Sequence, residues 1–247
     1  MSPNNADSII VLSGPEFEDV DYSELIKFIK NYGFSIEREG DLLAKLDADL
    51  FAERMAKIRI LEPDKKHLNE NPFPVEVDYE KRNLKSIPRK KGIIYSGNHF
   101  LKILQEQLDD IFDLRKNWPV YLSDQLLATF EARWHIRVMI FGFPVIISVP
   151  GIVYGPARSR EYYISAQMGI PEADEDYIKE KDERKTEVLK GYLFQAIYFY
   201  KCLLEGKEFR FCEDKNCSLY NSHWQREILD AQLKHSLCEK HLKEIKI

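Results

Sequence analysis

Two pairs of metal-ligating residues near the C-terminus restrict this chain more than any other feature. Cys212-Glu-Asp-Lys-Asn-Cys217 sets two thiols on one tight loop. After twenty further residues, Cys238-Glu-Lys-His241 sets a thiol and an imidazole three positions apart. On a helix that spacing puts both on one face. Four sulfur and nitrogen donors in two close pairs are what a closed tetrahedral zinc site needs. The cluster Cys212, Cys217, Cys238 and His241 therefore reads as the ligand set of one structural Zn2+. A helix beginning at Cys238 favours the thiolate there. Cys212, Cys217 and Cys238 sit among Glu213, Asp214, Lys215, Glu239 and Lys240, which are not core surroundings. Cys202 reads instead as a small core residue. His223 and His235 are competing nitrogen ligands, and His223 reads better as a first-turn helix residue. A closed site leaves no position for water or substrate. Its expected role is to pin the final helix and tail to the helix before it.

The compartment bears on this reading. The N-terminal stretch lacks a basic region followed by an apolar core, so no signal peptide is expected and a cytoplasmic location follows. Thiols stay reduced there, which favours metal over disulfides. The longest apolar region, residues 138–153, is cut by Gly142, Pro144, Pro150 and Gly151, so no membrane span is expected. The 247 residues allow one large domain or two small ones, and 44% hydrophobic content suffices for a core. A net charge of −5 argues against a nucleic-acid partner.

Periodicity predicts alternating strands and helices. Ile9-Ile10-Val11-Leu12 suits a buried strand. Asp21 and Glu24 form a capping box for a helix with Leu25, Ile26, Ile29 and Tyr32 on one face, ended by Gly33. Residues 34–39 alternate like a strand, and Asp47 caps a helix bearing Phe51, Met55 and Ile58. Residues 62–92 are polar and proline-rich, with a strand expected at 75–79. Further strands are expected at 93–95, 120–122, 135–141, 145–149 and 160–166, with a turn at Gly142-Phe-Pro144. Asn98 is expected to cap a helix carrying Phe100, Leu101, Leu104, Leu108 and Ile111. Residues 183–204 form the strongest helix, apolar around most of its girth and so expected at the centre of the fold. A last helix is expected over 222–235, with Ser222 and Gln225 as its capping box.

Other constellations read more plainly. Arg133, Arg137, Arg158 and Arg160 could line an anion pocket, but ion pairing with Glu131 and Glu161 is the simpler reading. Arg89-Lys90-Lys91 reads as a solvated loop. Glu187 and Lys190 could do acid–base work if buried; a surface helix pair is the plainer alternative. Residues 151–155 lack the Gly-Lys-Ser/Thr of a phosphate loop, and no Gly-x-Ser-x-Gly elbow occurs.

The chain from Val120 onward resembles the archaemetzincins, zinc metallopeptidases with the pattern His-Glu-x-x-His-x-x-Gly-x-x-His-Cys, four residues, Cys-x-Met, and a later Cys-x-x-Cys. Cys212, four residues, Cys217-Ser-Leu219 and then Cys238-x-x-His241 resemble its second half, with Leu219 at the methionine place and His241 at the last cysteine place. Met139-Ile-Phe-Gly142 and Val145-Ile-Ile-Ser148 resemble the paired strands before the catalytic helix. Along most of its length the chain resembles an uncharacterised archaeal family labelled as metallopeptidases. The phrases concerned are residues 56–59, 156–163, 186–191 and 211–224.

The departure from that pattern matters as much. Catalytic zinc of this class needs two histidines at i and i+4 with a glutamate between them as base. The histidines here stand at 67, 99, 135, 223, 235 and 241, so no two are four apart. The helix reads Lys190-Gly-Tyr-Leu-Phe194 or, in the ungapped register, Lys201-Cys-Leu-Leu-Glu205. The resemblance thus implies an α/β (α+β) fold with a metzincin-like mixed sheet, a long central helix and a zinc knot at 212–241. Residues 1–61 are expected to form an N-terminal α/β segment, 62–92 a loop-rich connection and 93–247 the metzincin-like region, with one continuous domain as the alternative. The expected function is a catalytically degenerate scaffold with a protein or peptide partner. The alternatives are an active hydrolase with a pocket near Glu187, Arg158 and Arg160, and a zinc-dependent nucleic-acid module.

Overall fold

A computed structural model describes residues 8–86, 92–108, 116–131, 134–170 and 177–245. The first apolar run forms β1 (Ile9–Ser13). Asp21 caps α1 (Tyr22–Asn31), its carboxylate accepting the Glu24 amide at 3.0 Å. Gly33, at φ +89°, turns the chain out of the helix into β2 (Ser35–Arg38). Asp47 caps α2 (Ala48–Lys57), whose Phe51 and Met55 are buried. The short β3 (Ile60–Glu62) and β4 (His67–Leu68) pair with each other.

The strand expected at 75–79 is instead part of α3 (Pro74–Lys85). Pro74 takes the first helical position, and the Glu76 carboxylate accepts the Phe73 amide at 2.8 Å. The alternation of Val75, Val77 and Tyr79 is not used for burial, since Val75 is 65% exposed. What the helix buries is Glu80 and Asn83. The Glu80 carboxylate accepts from Arg59 Nε at 2.6 Å and from the Tyr95 hydroxyl at 2.9 Å. A polar network holds α3, and apolar periodicity cannot reveal one.

Next come β5 (Ile94–Ser96) and α4 (Gly97–Leu108). The helix starts directly after Ser96, whose hydroxyl bonds the His99 ring at 2.7 Å, so Asn98 lies inside it rather than capping it. Ile111 and the basic run 89–91 fall outside the described residues. Then follow β6 (Asn117–Ser123), β7 (Leu126–Phe130), β8 (Trp134–Arg137), β9 (Met139–Ile140) and β10 (Val145–Ser148). Strand β7 was not anticipated. The expected strand 135–141 is two strands in two different sheets.

Strand β10 runs straight into α5 (Val149–Tyr154), whose Gly151 amide donates to the Ser148 hydroxyl at 3.0 Å. The strand expected at 160–166 is α6 (Arg160–Gln167), capped by the Ser159 hydroxyl, which accepts the Tyr162 amide at 3.2 Å. The cap outweighs the β propensity of Tyr162, Tyr163 and Ile164. The chain ends with α7 (Arg184–Leu204), α8 (Gln225–Gln232) and α9 (Glu239–Ile245). Glu227, not Gln225, closes the box on α8 by accepting the His223 and Trp224 amides at 2.9 and 3.3 Å.

The main sheet has the order β2-β1-β6-β10-β9, parallel except for β9. Strands from residues 1–61 and from 93 onward hydrogen-bond into it together. Its inner strands are buried on both faces, as parallel strands usually are. Trp118, Val120 and Leu122 face the side covered by α1 and α7. Tyr121 and Ile146 face α2 and α4. A second sheet, β5-β7-β8, lies beside these. Among the described residues no helix is long and apolar enough to cross a membrane.

The central helix is tied to the sheet as well as packed on it. The Tyr200 ring stacks on Trp118 at 5.9 Å. Its hydroxyl donates to the Pro119 carbonyl at 2.6 Å and accepts the Val145 amide at 2.9 Å. Midway along α7, Gly191 lies against Gln232 of α8, and a Cβ there would stand 1.7 Å from Gln232 Oε1. Helix propensity alone would favour alanine by about 1 kcal/mol. We expect Gly191→Ala nevertheless to destabilise the protein by roughly 1–3 kcal/mol in urea unfolding. Adding Gln232→Ala should recover part of that loss.

Candidate metal centre

Past α7 the chain has little regular structure, and side-chain and loop bonds shape it. The Cys212 amide donates to the Leu219 carbonyl at 2.9 Å, and the Cys217 amide to Asp214 O at 3.0 Å. The Asp214 carboxylate accepts the Asn216 amide at 2.9 Å, a turn that aspartate makes readily. The result folds Cys217 back beside Cys212. The Ser218 amide donates to Ser236 O at 2.8 Å and so brings the second pair alongside the first. Cys238 stands immediately before α9, with the Leu242 amide on its carbonyl at 2.8 Å. His241 follows within the first turn of α9.

All four expected ligands meet. Cys212 Sγ lies 3.9 Å from Cys238 Sγ. His241 Nδ1 lies 3.7 Å from Cys217 Sγ and 3.1 Å from Cys238 Sγ. The four donor atoms fall within 4.8 Å of one another. A tetrahedron with zinc–sulfur bonds of about 2.3 Å has edges of roughly 3.8 Å, so the donor set fits such an ion. Cys217 and His241 are buried, while Cys212 and Cys238 are half-buried.

Electrostatics point the same way. Burial above all, with a neighbouring Cys217 thiolate adding to it, pushes the Cys212 thiol up to about 12. Burial also raises Cys217 and lowers His241. Without a cation the pocket therefore favours neutral groups. A divalent cation reverses that preference for thiolates.

The centre rests on the last turns of α7. The His241 ring meets Tyr198 edge-on at 5.0 Å, and the Tyr198 hydroxyl donates to Glu244 at 2.8 Å. His241 Nε2, on the far side of the ring from the thiols, points at Glu244 from 4.0 Å. At that distance the carboxylate acts on the imidazole by its charge and not through a hydrogen bond. Sequence reasoning missed Tyr198 and Glu244, although Glu244 stands three residues from His241 on one helix. Gln195 of α7 donates to Ser218 O at 2.8 Å and so fastens the ligand loop.

The other sequence-predicted candidates lie elsewhere. His223 uses its backbone, bonding Ala157 and Glu227. His235 Nε2 lies 3.0 Å from Glu187 Oε2. His241 is therefore the nitrogen donor of the cluster. Glu187 and Lys190 are more than a surface pair. The Lys190 side chain is only 5% exposed and bonds Glu187 at 2.7 Å and Glu24 of α1 at 3.1 Å. Burial works against its charge, but the two carboxylates outweigh that and hold it ionised. The network joins α1, α7 and the turn after α8.

Cys202 is buried, as expected of a core residue. Lys201 beside it directs its amine at the Ile245 carbonyl, 3.4 Å away. Arg137 bonds Thr129 and pairs with Glu131, Arg158 lies over the Tyr162 ring at 4.4 Å, and Arg160 is exposed. Arg133 lies outside the described residues. A cavity of about 360 Å³ is lined by Ile93, Asp124, Gln125, Leu126, Pro150 and Tyr154, and not by Glu187, Arg158 or Arg160.

The chain matches the "Probable metallopeptidase family (DUF6775)" over residues 5–247, and it belongs to that family. Its fold is similar to the crystal structure of archaemetzincin from Methanopyrus kandleri, with a TM-score of 0.50 and 11% identity. That likeness covers 99% of this chain and 97% of the other. At this identity it speaks for the fold, which is archaemetzincin-like. No curated protein matches the chain.

Replacing Cys217 or His241 by alanine should abolish zinc binding in a metal-titration assay, while Cys202→Ser should leave it intact. Because Cys212 keeps its proton up to about pH 12 without metal, zinc uptake must expel protons. Affinity should therefore fall as pH falls, by about tenfold or more per unit, read by chelator competition at roughly pH 8 and 6.

Proposed function

We propose that this metallopeptidase-family chain is a catalytically degenerate scaffold that binds a protein or peptide, with one zinc ion serving structure alone. The observation that supports this most is the closed donor set. Three thiols and one imidazole converge within 4.8 Å, which fills a tetrahedral ion and leaves no position for a water. Hydrolytic zinc needs that open position, because only bound water has its pKa drawn down to near neutrality.

Helix α7 supports the same reading. It contains no histidine, so the paired imidazoles of a hydrolytic centre have no counterpart on it. In the ungapped register Lys201 and Glu205 stand where the two histidines would be. An ammonium cannot coordinate a metal, and the Lys201 amine is directed at the Ile245 carbonyl. Cys202 stands in the place of the base. The acidic residues Glu213 and Asp214 beside the centre weigh against a nucleic-acid role. A cytoplasmic setting would keep the three thiols reduced and available to the ion.

The zinc then does mechanical work. It clamps the loop at 212–219 to α9, and both to the end of α7. Binding free energy of this kind is folding free energy. Metal analysis of the purified chain should give one zinc per molecule, whereas two would restore the peptidase reading and none would remove the clamp. Chelation should lower the melting temperature by roughly 10 °C or more. Purified protein should show no peptide hydrolysis. Hydrolysis that a Glu187→Gln change abolishes would overturn the scaffold reading.

A further inference from the structure

The three thiols of the metal centre are not equivalent. Cys217 is fully buried, and the Leu219 and Cys238 amides face its sulfur. Cys212 is half-buried, and its sulfur accepts the Asp214 amide at 3.4 Å. Cys238 is half-buried too. Among the described residues its sulfur accepts no amide, and its polar neighbours are Cys212 Sγ at 3.9 Å and His241 Nδ1 at 3.1 Å. An amide N–H on a thiolate holds the electron pair that would otherwise attack, and burial keeps a reactant away from it. Cys238 is therefore the thiol that is partly open to solvent and lacks such an amide. Zinc supplies the remaining condition, because it binds its sulfur ligands as thiolates.

We infer that the centre is also an oxidation site, at which hydrogen peroxide joins Cys238 to Cys212 and expels the zinc. The exchange rests on the zinc clamp proposed above and makes that clamp removable. Cys238 Sγ attacks one peroxide oxygen, the O–O bond breaks, and a sulfenic acid and a hydroxide result. Cys212 Sγ then attacks the sulfenic sulfur. The S–S bond forms, the S–O bond breaks, and a second hydroxide leaves. Both hydroxides take protons from solvent. The two thiolates have lost two electrons, and one peroxide has become two waters.

Geometry selects the pair. The two sulfurs close from 3.9 Å to about 2.05 Å by rotation about χ1 at both half-buried residues. Cys217 is walled in and held by the loop, its amide donating to Asp214 O and its carbonyl accepting the Tyr220 amide. With two donors consumed, Cys217 and His241 remain, too few for a structural zinc. The loop at 212–219 and the start of α9 stay joined, now covalently. The oxidised chain keeps that joint and loses the ion. In a reducing compartment such a bond is transient, as redox-sensing disulfides are.

The full, zinc-loaded chain, freed of reductant and treated with hydrogen peroxide at roughly 1 mM, tests this. A chromogenic chelator reads the zinc released, and mass spectrometry of tryptic peptides reads the pairing. Trypsin leaves each cysteine on its own peptide, 202–207, 211–215, 216–226 or 235–240. One zinc should be released per disulfide, with 211–215 linked to 235–240, and dithiothreitol with added zinc should restore the loaded chain. Cys202→Ser should release zinc at the wild-type rate. Cys238→His keeps four donors of a kind zinc accepts, and should slow release by about tenfold or more. A loaded wild-type chain that keeps its zinc under peroxide overturns this inference alone. So does release accompanied by a link from 216–226 to either neighbour, or by sulfinic acid without a disulfide. A chain that carries no zinc before peroxide is added overturns the zinc reading itself, and the exchange with it.

Discussion

Strand β6 is buried on both faces, and the layering of the molecule follows from that. Trp118, Val120 and Leu122 point to one side and Tyr121 to the other, all essentially without solvent contact. A parallel strand of this kind is stable only with helices above and below it. Helices α1 and α7 cover one face, and α2 and α4 cover the other. The Tyr200 hydroxyl adds direction, since it bonds backbone groups of Pro119 and Val145 and so fixes how α7 lies across the strands.

Because α7 is fixed in this way, it can serve as the backstop for the metal centre. Its last turns present Gln195, Tyr198 and Lys201 to a region with little regular structure of its own. Four ligands from a loop and a short helix close over that surface. The network of Glu24, Glu187 and His235 around the buried Lys190 joins the same helix to α1 and to the turn that leads to Cys238. The metal centre is in this sense a continuation of the core. The resemblance to a peptidase lies in the sheet and the helix, while the histidine pair that hydrolysis needs has no counterpart on α7.

Much of this was legible from residue patterns, and the misreadings have physical causes. Strand β1, helices α1, α2 and α7, and the convergence of the four ligands follow from apolar period, caps and ligand spacing. Helix α3 was misread because Glu80 and Asn83, not Val75 and Val77, are what it buries. Helix α6 was misread because its tyrosines and isoleucine favour strands, while the Ser159 cap and the Tyr162 anchor decide for helix. Strands β8 and β9 were merged because a short break between sheets leaves no mark on apolar alternation. Lys190 read plainly as a surface residue, since its second partner, Glu24, lies 166 positions away.

The sequence by itself determined which donors stand near the C-terminus, three thiols at set spacings and a choice of imidazoles. Donor identity and spacing are local properties, and no folding places a histidine on α7, whose sequence has none. Only the tertiary structure decided that His241 rather than His223 or His235 completes the donor set. It also decided that Glu244 stands behind His241. Those outcomes depend on which elements pack against one another, and such contacts join residues whose separation along the chain says nothing of their distance in space.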